Sequence, residues 1–200
     1  DEQLRGVLRT PRPGGAVFYS ARALARIGAD AHVAVSCARD DWAVLAPRVE
    51  EFPLPVTWYE SPTTTAYSFH YEGDLRIMRQ EAVGEPWAPA RAVEAVQDAH
   101  WIHVGALVRT DFPEETLAAL AGEGRRLLVD AQGLVRTADL GPLQTDGDVG
   151  DVLRHVHVLK LNDEEAETLV GIRDSSRRAH SAAMSRWIGH KRRATSRKAV

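Results

Sequence analysis

Two adjacent glycines, Gly14 and Gly15, form the first pattern along the chain that could bind a ligand. They lie in the stretch PGGAVFYSARALARIGAD. A glycine-rich loop before a helix can bind phosphate through its backbone N–H groups. The two common loop patterns of this kind do not fit. No Gly-Lys follows at the Walker A spacing, and bulky Val17 and Phe18 follow the pair where a dinucleotide fingerprint would continue in glycine. The pair predicts either close approach of a small polar ligand to the backbone or a tight turn into a helix.

Other polar side chains that could do chemistry follow a buried run later in the chain. Asp130, Gln132 and Arg136 stand at or after the end of RRLLVD. Because ligands of open α/β sheets bind at the carboxyl ends of strands, these residues are candidates for a ligand site. His100 and His103 lie three residues apart on a predicted strand and face opposite sides of it, which argues against a metal site.

Helices and strands at predictable places must position these candidates. Apolar residues at helical spacing predict a helix after the glycine pair that stops at Gly28. The stretches AHVAVS and VTWYE predict short strands, and TTAYSFHYEGDLRIMRQ predicts a hairpin that turns at residues 72–74. After residue 86 predicted helices and strands alternate, which favours a parallel sheet covered by helices on both faces.

Composition sets the class of protein and its compartment. The chain has 200 residues, 44% of them hydrophobic, which is enough for one sizeable core. The only cysteine, Cys37, excludes an internal disulfide, and with no base beside it in sequence we expect an inert thiol. No signal peptide or membrane-length apolar run is present, so we predict a cytoplasmic protein without a membrane partner.

Charge is distributed unevenly along the chain. The net charge is −3, yet residues 1–170 carry 16 basic and 27 acidic side chains, whereas residues 171–200 carry 9 basic and 1 acidic. The basic tail, residues 173–200, has no clean apolar face and predicts irregular structure. It either contacts nucleic acid or does not belong to the fold. We favour the second interpretation, so nucleic acid is not an expected partner.

An ordered set of stretches carries a resemblance to a known family. PGGAVFYSARALARIGAD, TTTAYSFHYEGD, HVGAL, LLVDAQGLVR and VLKLNDEEAETLVG occur in that order. Together they resemble the ribokinase-like sugar kinases of the PfkB family over residues 1–172. The resemblance implies a three-layer α/β/α sandwich with a mostly parallel sheet and a small β-sheet lid, whose strands fall within about residues 1–12 and 56–82. It also implies that the C-terminal part of the fold is missing.

The resemblance assigns acceptor contacts to the start of the chain. Gly14 and Gly15 match the glycines that line the sugar site, and Asp1 matches an aspartate that holds sugar hydroxyls. Tyr19 stands where the family commonly has a sugar-contacting asparagine, which favours a different acceptor, such as a nucleoside. Gln132, after the buried strand, completes the acceptor residues that we expect.

The resemblance places the phosphate chemistry at the end of a later strand. Asn162 and Glu165 reproduce an N-x-x-E motif that organises the magnesium and phosphate region. Lys160, at the same strand end, either faces a phosphate or extends into solvent. The implied cofactors are ATP and Mg²⁺, with no direct metal ligand assigned.

The family's catalytic aspartate lies in a G-A-G-D motif, and this motif does not occur in the 200 residues. We therefore expect an ATP-dependent kinase acting on a hydroxyl of a sugar or sugar-containing molecule, with no catalytic residue in this chain and doubtful activity of the chain alone. The alternatives are a non-catalytic sugar or nucleoside binder and a nucleoside kinase. The lid also suggests a homodimer.

Overall fold

The structure is a computed structural model that describes residues 12–170, and the predicted N-terminal lid strand and the basic tail lie outside this range. In chain order the elements are α1 (Gly15–Arg26), β1 (Val33–Cys37), α2 (Trp42–Val49), β2 (Val56–Glu60), β3 (Ala66–Glu72), β4 (Leu75–Ala82), α3 (Pro89–Val96), β5 (Trp101–Val104), α4 (Glu114–Leu120), β6 (Arg126–Asp130), α5 (Gln132–Val135), β7 (Gly141–Pro142), β8 (Val158–Lys160) and α6 (Asp163–Val170). Short 3-10 turns lie at Arg39–Asp41, Arg109–Asp111, Gly122–Gly124 and Val152–His155.

Helix α1 starts and stops where its sequence indicates. Pro13 precedes it, and Gly14 is its N-cap in an extended conformation. At the other end Gly28 adopts a φ of +67°, which a residue with a Cβ rarely does. The Gly28 N–H donates to Ala25 O and the Ala29 N–H to Leu24 O, the pair of bonds of a Schellman motif. The predicted stop at Gly28 is confirmed.

Parallel strands form two of the three described sheets. Strand β1 pairs in parallel with β2, and β5–β6–β8 form a three-stranded parallel sheet with β6 in the middle. Helices connect the paired strands, as parallel pairing requires. The alternation of helices and strands predicted after residue 86 is therefore confirmed, and the architecture is the α/β class that the sequence indicates.

The predicted hairpin is also present. Strands β3 and β4 pair antiparallel around a turn at Gly73, which has a φ of +61°. The short strand β7 adds to β4, so the hairpin is attached to the segment that follows α5. Of the range 56–82 that the resemblance assigns to a lid, only β3 and β4 form the hairpin, because β2 belongs to the parallel β1–β2 sheet.

The hydrophobic core lies between the β5–β6–β8 sheet and the helices α3 and α4. It includes Leu117 and Leu120 from α4, Leu127 and Val129 from β6, and Val156, all at most 1% exposed. Burying each of these side chains stabilises the fold by about 1.5–3 kcal/mol before entropy is counted. This core fixes the strand ends from which the candidate site projects.

Within residues 12–170, every helix is too short or too polar to cross a membrane.

Candidate functional site

The carboxyl ends of β6 and β8 bring a carboxylate and an amine together. Asp130 and Lys160 are register partners at the ends of these parallel strands, and Lys160 Nζ lies 3.0 Å from Asp130 Oδ2. The Asp130 side chain is 4% exposed, whereas that of Lys160 is 60% exposed. The ion pair thus holds the lysine ammonium at the sheet edge, and solvent still reaches the side chain.

His103, at the end of the neighbouring strand β5, lies close enough to this pair to sense both charges. Burial lowers the pKa of His103 below its ordinary value, and Asp130 acts in the opposite direction. Its Nε2 is buried and has no hydrogen-bond partner among the described residues. His103 on β5, Asp130 on β6 and Lys160 on β8 thus place polar side chains at the same edge of the parallel sheet.

Asn162 and Glu165 bond to each other's backbone at the start of α6. The Glu165 N–H donates to Asn162 Oδ1 at 2.8 Å, and the Asn162 N–H donates to Glu165 Oε2 at 2.9 Å. This is a capping box, with Asn162 as the N-cap residue. The N-x-x-E spacing thus has a structural role, because it fixes the N-terminus of α6 directly after the Lys160 strand end.

The N-terminus of α1 packs against the loop that follows β5, residues 105–108. A Cβ on Gly15 would lie 2.8 Å from Leu107 Cδ2, and Gly15 has a φ of +79°. A Cβ on Gly105 would clash with the Val17 side chain and lie 2.9 Å from its backbone nitrogen. Gly14 differs, because no atom of the described residues beyond its chain neighbours lies within 4 Å of the position that its Cβ would take. The positive φ and the nearby Leu107 side chain thus favour glycine at position 15, and close backbone approach accounts for Gly105.

A buried carboxylate holds the same loop from the other side. Asp111 Oδ2 accepts the N–H groups of Leu107 at 2.7 Å and of Val108 at 3.2 Å. Burial raises the pKa of Asp111, while these two hydrogen bonds act to lower it. The sequence analysis did not identify Asp111, although a carboxylate three residues after a buried Val is a recognisable turn signal.

The hairpin joins this loop through Tyr67. The Tyr67 hydroxyl lies 2.8 Å from Leu107 O and 2.9 Å from Gln80 Oε1. Gln80 is 1% exposed, and the Arg136 guanidinium lies over the Tyr67 ring, 5.1 Å from its centroid. We call Gly15, Tyr67, Gln80 and Leu107 the hairpin junction. Sequence reasoning missed it, because alternation along a strand does not show which polar side chain meets another element.

Of the other predicted acceptor residues that the structure describes, one lies beside the hairpin junction and one does not contact it. Gln132 lies at the start of α5, and its Nε2 donates to Ala106 O at 3.4 Å, beside the hairpin junction. Tyr19 is 63% exposed, with its ring edge against Phe18, and no contact joins it to the junction. Asp1 lies outside the described residues.

A shallow groove elsewhere on the surface contains none of the predicted site residues. It lies beside the start of α4 and is lined by Arg109, Phe112, Pro113, Glu114, Leu134, Asp148, Val149, Gly150, Asp151 and Val152. The described residues also contain no group of three or more His, Cys, Asp or Glu side chains that could hold a metal ion. The described residues therefore offer two candidate regions, at the ends of β6 and β8 and at the N-terminus of α1.

Comparison with known proteins gives a clear structural result and no sequence match. No protein-family description and no curated protein matches the chain. Among solved structures, the chain is similar to a pyrophosphate-dependent kinase in the ribokinase family, complexed with a pyrophosphate analog and myo-inositol, at 25% identity and a TM-score of 0.69. A sulfate complex of a pyrophosphate-dependent kinase in that family matches with a TM-score of 0.70 at 25% identity.

A third solved structure concerns the conversion of a pyrophosphate-dependent myo-inositol-1 kinase into a myo-inositol-3 kinase by a double substitution. It matches at 25% identity with a TM-score of 0.69. Each match covers 80% of this chain, and the chain spans 55–57% of the length of the matched proteins.

Proposed function

Because the chain has the ribokinase-like kinase fold, we propose that the whole protein is a carbohydrate kinase that phosphorylates a hydroxyl of a cyclic polyol or sugar. The observation that carries the proposal is the structural likeness to kinases described with myo-inositol and a phosphate donor, at 25% identity over 80% of the chain. Since the chain spans 57% of that protein, acceptor binding is proposed for these 200 residues and phosphoryl transfer for the whole protein.

The acceptor binds, in this proposal, at the N-terminus of α1. The first N–H groups of a helix have no intrahelical partner, so they can donate to hydroxyl oxygens of a polyol. Gly14 leaves the backbone open on this side, and Leu107 under Gly15 supplies an apolar floor. The Gln132 amide next to Ala106 is a further donor for acceptor hydroxyls. We keep Asp1 and Tyr19 as proposed acceptor residues on the resemblance alone.

The phosphoryl donor binds, in this proposal, near the ends of β6 and β8. Lys160 is exposed enough to reach a phosphate, and Asp130 holds its amine at the sheet edge. The N-terminus of α6 follows directly, and it favours negative charge. ATP is the donor implied by the resemblance, whereas the similar solved structures are described as pyrophosphate-dependent. We therefore propose that the donor is one of these two polyphosphates.

The residues at this edge fit Mg²⁺ only through water. One Glu165 carboxylate oxygen already accepts the Asn162 N–H, so the other oxygen is the better placed to meet a metal or its waters. Mg²⁺ keeps several waters and binds substrate phosphates, and therefore does not require a full set of protein ligands. When bound, the ion would neutralise charge on the transferring phosphoryl group. The capping box would keep Glu165 in place.

The general base is the part of the machinery that these residues do not supply. The resemblance assigns it to a G-A-G-D aspartate, and that motif is absent from the 200 residues. Removing a general base typically lowers a rate by about 10²–10⁴-fold. This chain alone should therefore bind an acceptor and transfer phosphoryl groups slowly or not at all.

A homodimer through the hairpin is a further part of the proposal. Phe69 on β3 and Leu75 on β4 are 53% and 63% exposed on opposite faces of the hairpin, and exposed apolar side chains of this size can contact another chain. Sedimentation of wild type and of a Phe69→Ser/Leu75→Ser variant tests this. The proposed dimer predicts dissociation of the variant, and a monomeric wild type would contradict it.

Titration calorimetry with myo-inositol, ribose, fructose and adenosine tests acceptor binding directly. Parallel assays measure phosphoryl transfer from ATP and from pyrophosphate, with Mg²⁺ and after chelation, for this chain and for the gene's complete product. We expect saturable binding of a polyol or sugar by the chain, and Mg²⁺-dependent transfer by the complete product. Binding of none of these compounds, with no transfer from either donor, would refute the proposed function.

A further inference from the structure

The Tyr67 hydroxyl joins the hairpin to the body of the protein. Tyr67 lies on β3, and its hydroxyl reaches Leu107 O across 40 positions of the sequence. Its opposite neighbour in the hairpin register is Gln80 on β4, whose amide meets the same hydroxyl. One phenol thus ties both strands of the hairpin to the loop after β5.

The direction of these bonds follows from their chemistry. The Leu107 carbonyl oxygen can only accept, so the single hydroxyl proton of Tyr67 goes to it. The hydroxyl oxygen is then an acceptor, and the Gln80 amide group facing it must be the NH₂. This amide orientation reverses the assigned one, in which the buried Gln80 Nε2 has no partner. The result is a directed chain of hydrogen bonds from Gln80 through Tyr67 to Leu107.

The end of this chain of bonds lies directly under the N-terminus of α1. Leu107 bears the carbonyl that accepts from Tyr67, and its side chain lies against Gly15. Asp111 holds the Leu107 N–H, so the loop cannot easily shift on its own. A movement of the hairpin must therefore either break the Tyr67 bond or displace the floor beneath α1.

We propose that Tyr67 is a positioning residue that latches hairpin β3–β4 to the loop beneath α1 and thereby sets how tightly an acceptor is held there. The part that concerns the acceptor rests on the proposed function, whereas the latch is a property of the chain itself. Tyr67 acts through Leu107 and not by contact with the reacting atoms.

The surroundings of Tyr67 keep the latch intact across the ordinary pH range. Burial raises the pKa of its phenol, and the Arg136 guanidinium over the ring opposes this. The hydroxyl therefore keeps the proton that it donates. Arg136 also lies over the ring, with the guanidinium carbon 5.1 Å from its centroid.

Hydrogen exchange of the hairpin amides measures the latch, with Tyr67→Phe as the test and Tyr71→Phe as the matched control. Tyr71 lies on the same strand and the same face, but it is 64% exposed and no hydrogen bond ties its hydroxyl to another described residue. We expect Tyr67→Phe to speed exchange over residues 66–82 by about 3- to 10-fold, the effect of one lost hydrogen bond. The lost bond also lowers global stability, so the midpoint of thermal unfolding should fall by a few degrees, and exchange in β6 should speed up by no more than exchange in the hairpin.

Titration with myo-inositol then measures how the latch affects the affinity for the acceptor. Because affinity falls only as the closed fraction of the hairpin falls, Tyr67→Phe should weaken binding by no more than the factor by which it speeds hairpin exchange, with Tyr71→Phe unchanged. Gln80→Met, which leaves the Leu107 bond in place, should show a smaller shift in both measurements. This second variant decides the case if Tyr67→Phe does not fold.

The outcomes separate the latch from the function. Hairpin exchange no faster in Tyr67→Phe or Gln80→Met than in Tyr71→Phe would overturn the latch. A larger speeding of exchange in β6 than in the hairpin would make Tyr67 a general stabilising residue and would also overturn the latch. If wild type binds no polyol or sugar, the proposed function fails, while the exchange comparison still decides the latch. Faster hairpin exchange with unchanged polyol affinity would refute the link to the acceptor.

Discussion

Two regions of the molecule hold the candidate chemistry, and they are built differently. At the N-terminus of α1 the contacts are made by glycines, backbone groups and neutral side chains, in Gly15, Leu107 and Tyr67. At the ends of β6 and β8 they are made by charged and amide side chains that bind one another, in the Asp130–Lys160 pair and the Asn162–Glu165 capping box. In the proposed function the first region admits a neutral polyol, and the second meets the charged phosphoryl donor.

The contrast explains which positions should be sensitive to a larger side chain and which to the loss of a polar group. Where backbone approaches backbone, an added methyl group has nowhere to go, so volume decides the outcome. Where side chains saturate each other's hydrogen bonds, the loss of one partner leaves the other unsatisfied, so polarity decides. Substitutions that exchange only volume or only polarity should therefore separate the two regions.

The largest effect should come from Gly133→Ala in α5, which lies against the loop of residues 105–108 that borders the first region. A Cβ at Gly133 would clash with the Ala106 side chain and lie 2.5 Å from Ala106 O, a backbone atom that cannot easily move. We expect the variant to lower the free energy of unfolding by about 3 kcal/mol or more, measured by urea denaturation. Gly122→Ala is the control, since nothing lies within 4 Å of its built Cβ. Equal stabilities of the two variants would show that the close approach is not a constraint.

A smaller effect should come from Asn162→Ala in the second region. The variant removes the N-cap oxygen that accepts the Glu165 N–H and should cost about 1 kcal/mol of stability. Asn162→Asp keeps an acceptor at the same place and should lose little. Thermal unfolding of the two variants measures the difference. If both variants lost the same stability, the capping box would not be the reason for the N-x-x-E spacing.

The smallest effect should be a difference in pH dependence at Asp111. Burial raises its pKa above 3.8, so the folded state binds a proton over a range in which the unfolded chain has released it. The contribution of Asp111 to stability should therefore fall as the pH rises from about 3.8 through the raised pKa of the folded state.

Urea denaturation of wild type and of Asp111→Asn isolates the contribution of Asp111 to stability. The measurements cover about pH 4 to 7, the range in which a buried carboxyl titrates. Asn keeps an oxygen for the Leu107 N–H but does not titrate. The stability of wild type relative to the variant should decline with rising pH. A rising difference would mean that the two backbone hydrogen bonds outweigh burial.

The sequence predicted the elements better than the contacts between them. Gly28, Gly73 and the alternation after residue 86 are local signals, and each is present in the structure. The N-x-x-E motif was visible too, although its reciprocal backbone bonds were not part of the prediction.

What the sequence could not give were contacts between distant segments. Tyr67 and Leu107 are 40 residues apart, and nothing in their local patterns indicates that they meet. Tyr19 was selected by its position after the glycine pair, and because the residue is 63% exposed, its contact with an acceptor stays a prediction. Which side of a helix end faces a ligand depends on packing that a single sequence does not show.

The affinity of the chain for myo-inositol in Gly15→Ala and Gly28→Ala tests the central claim most directly. Both glycines have a positive φ, +79° and +67°, so both substitutions carry a similar backbone strain of about 1 kcal/mol. Only Gly15 lies on the proposed acceptor site, against Leu107. We predict at least a tenfold loss of affinity, about 1.4 kcal/mol, in Gly15→Ala and none in Gly28→Ala. Equal affinities in the two variants, with wild type binding normally, would contradict an acceptor site at the N-terminus of α1.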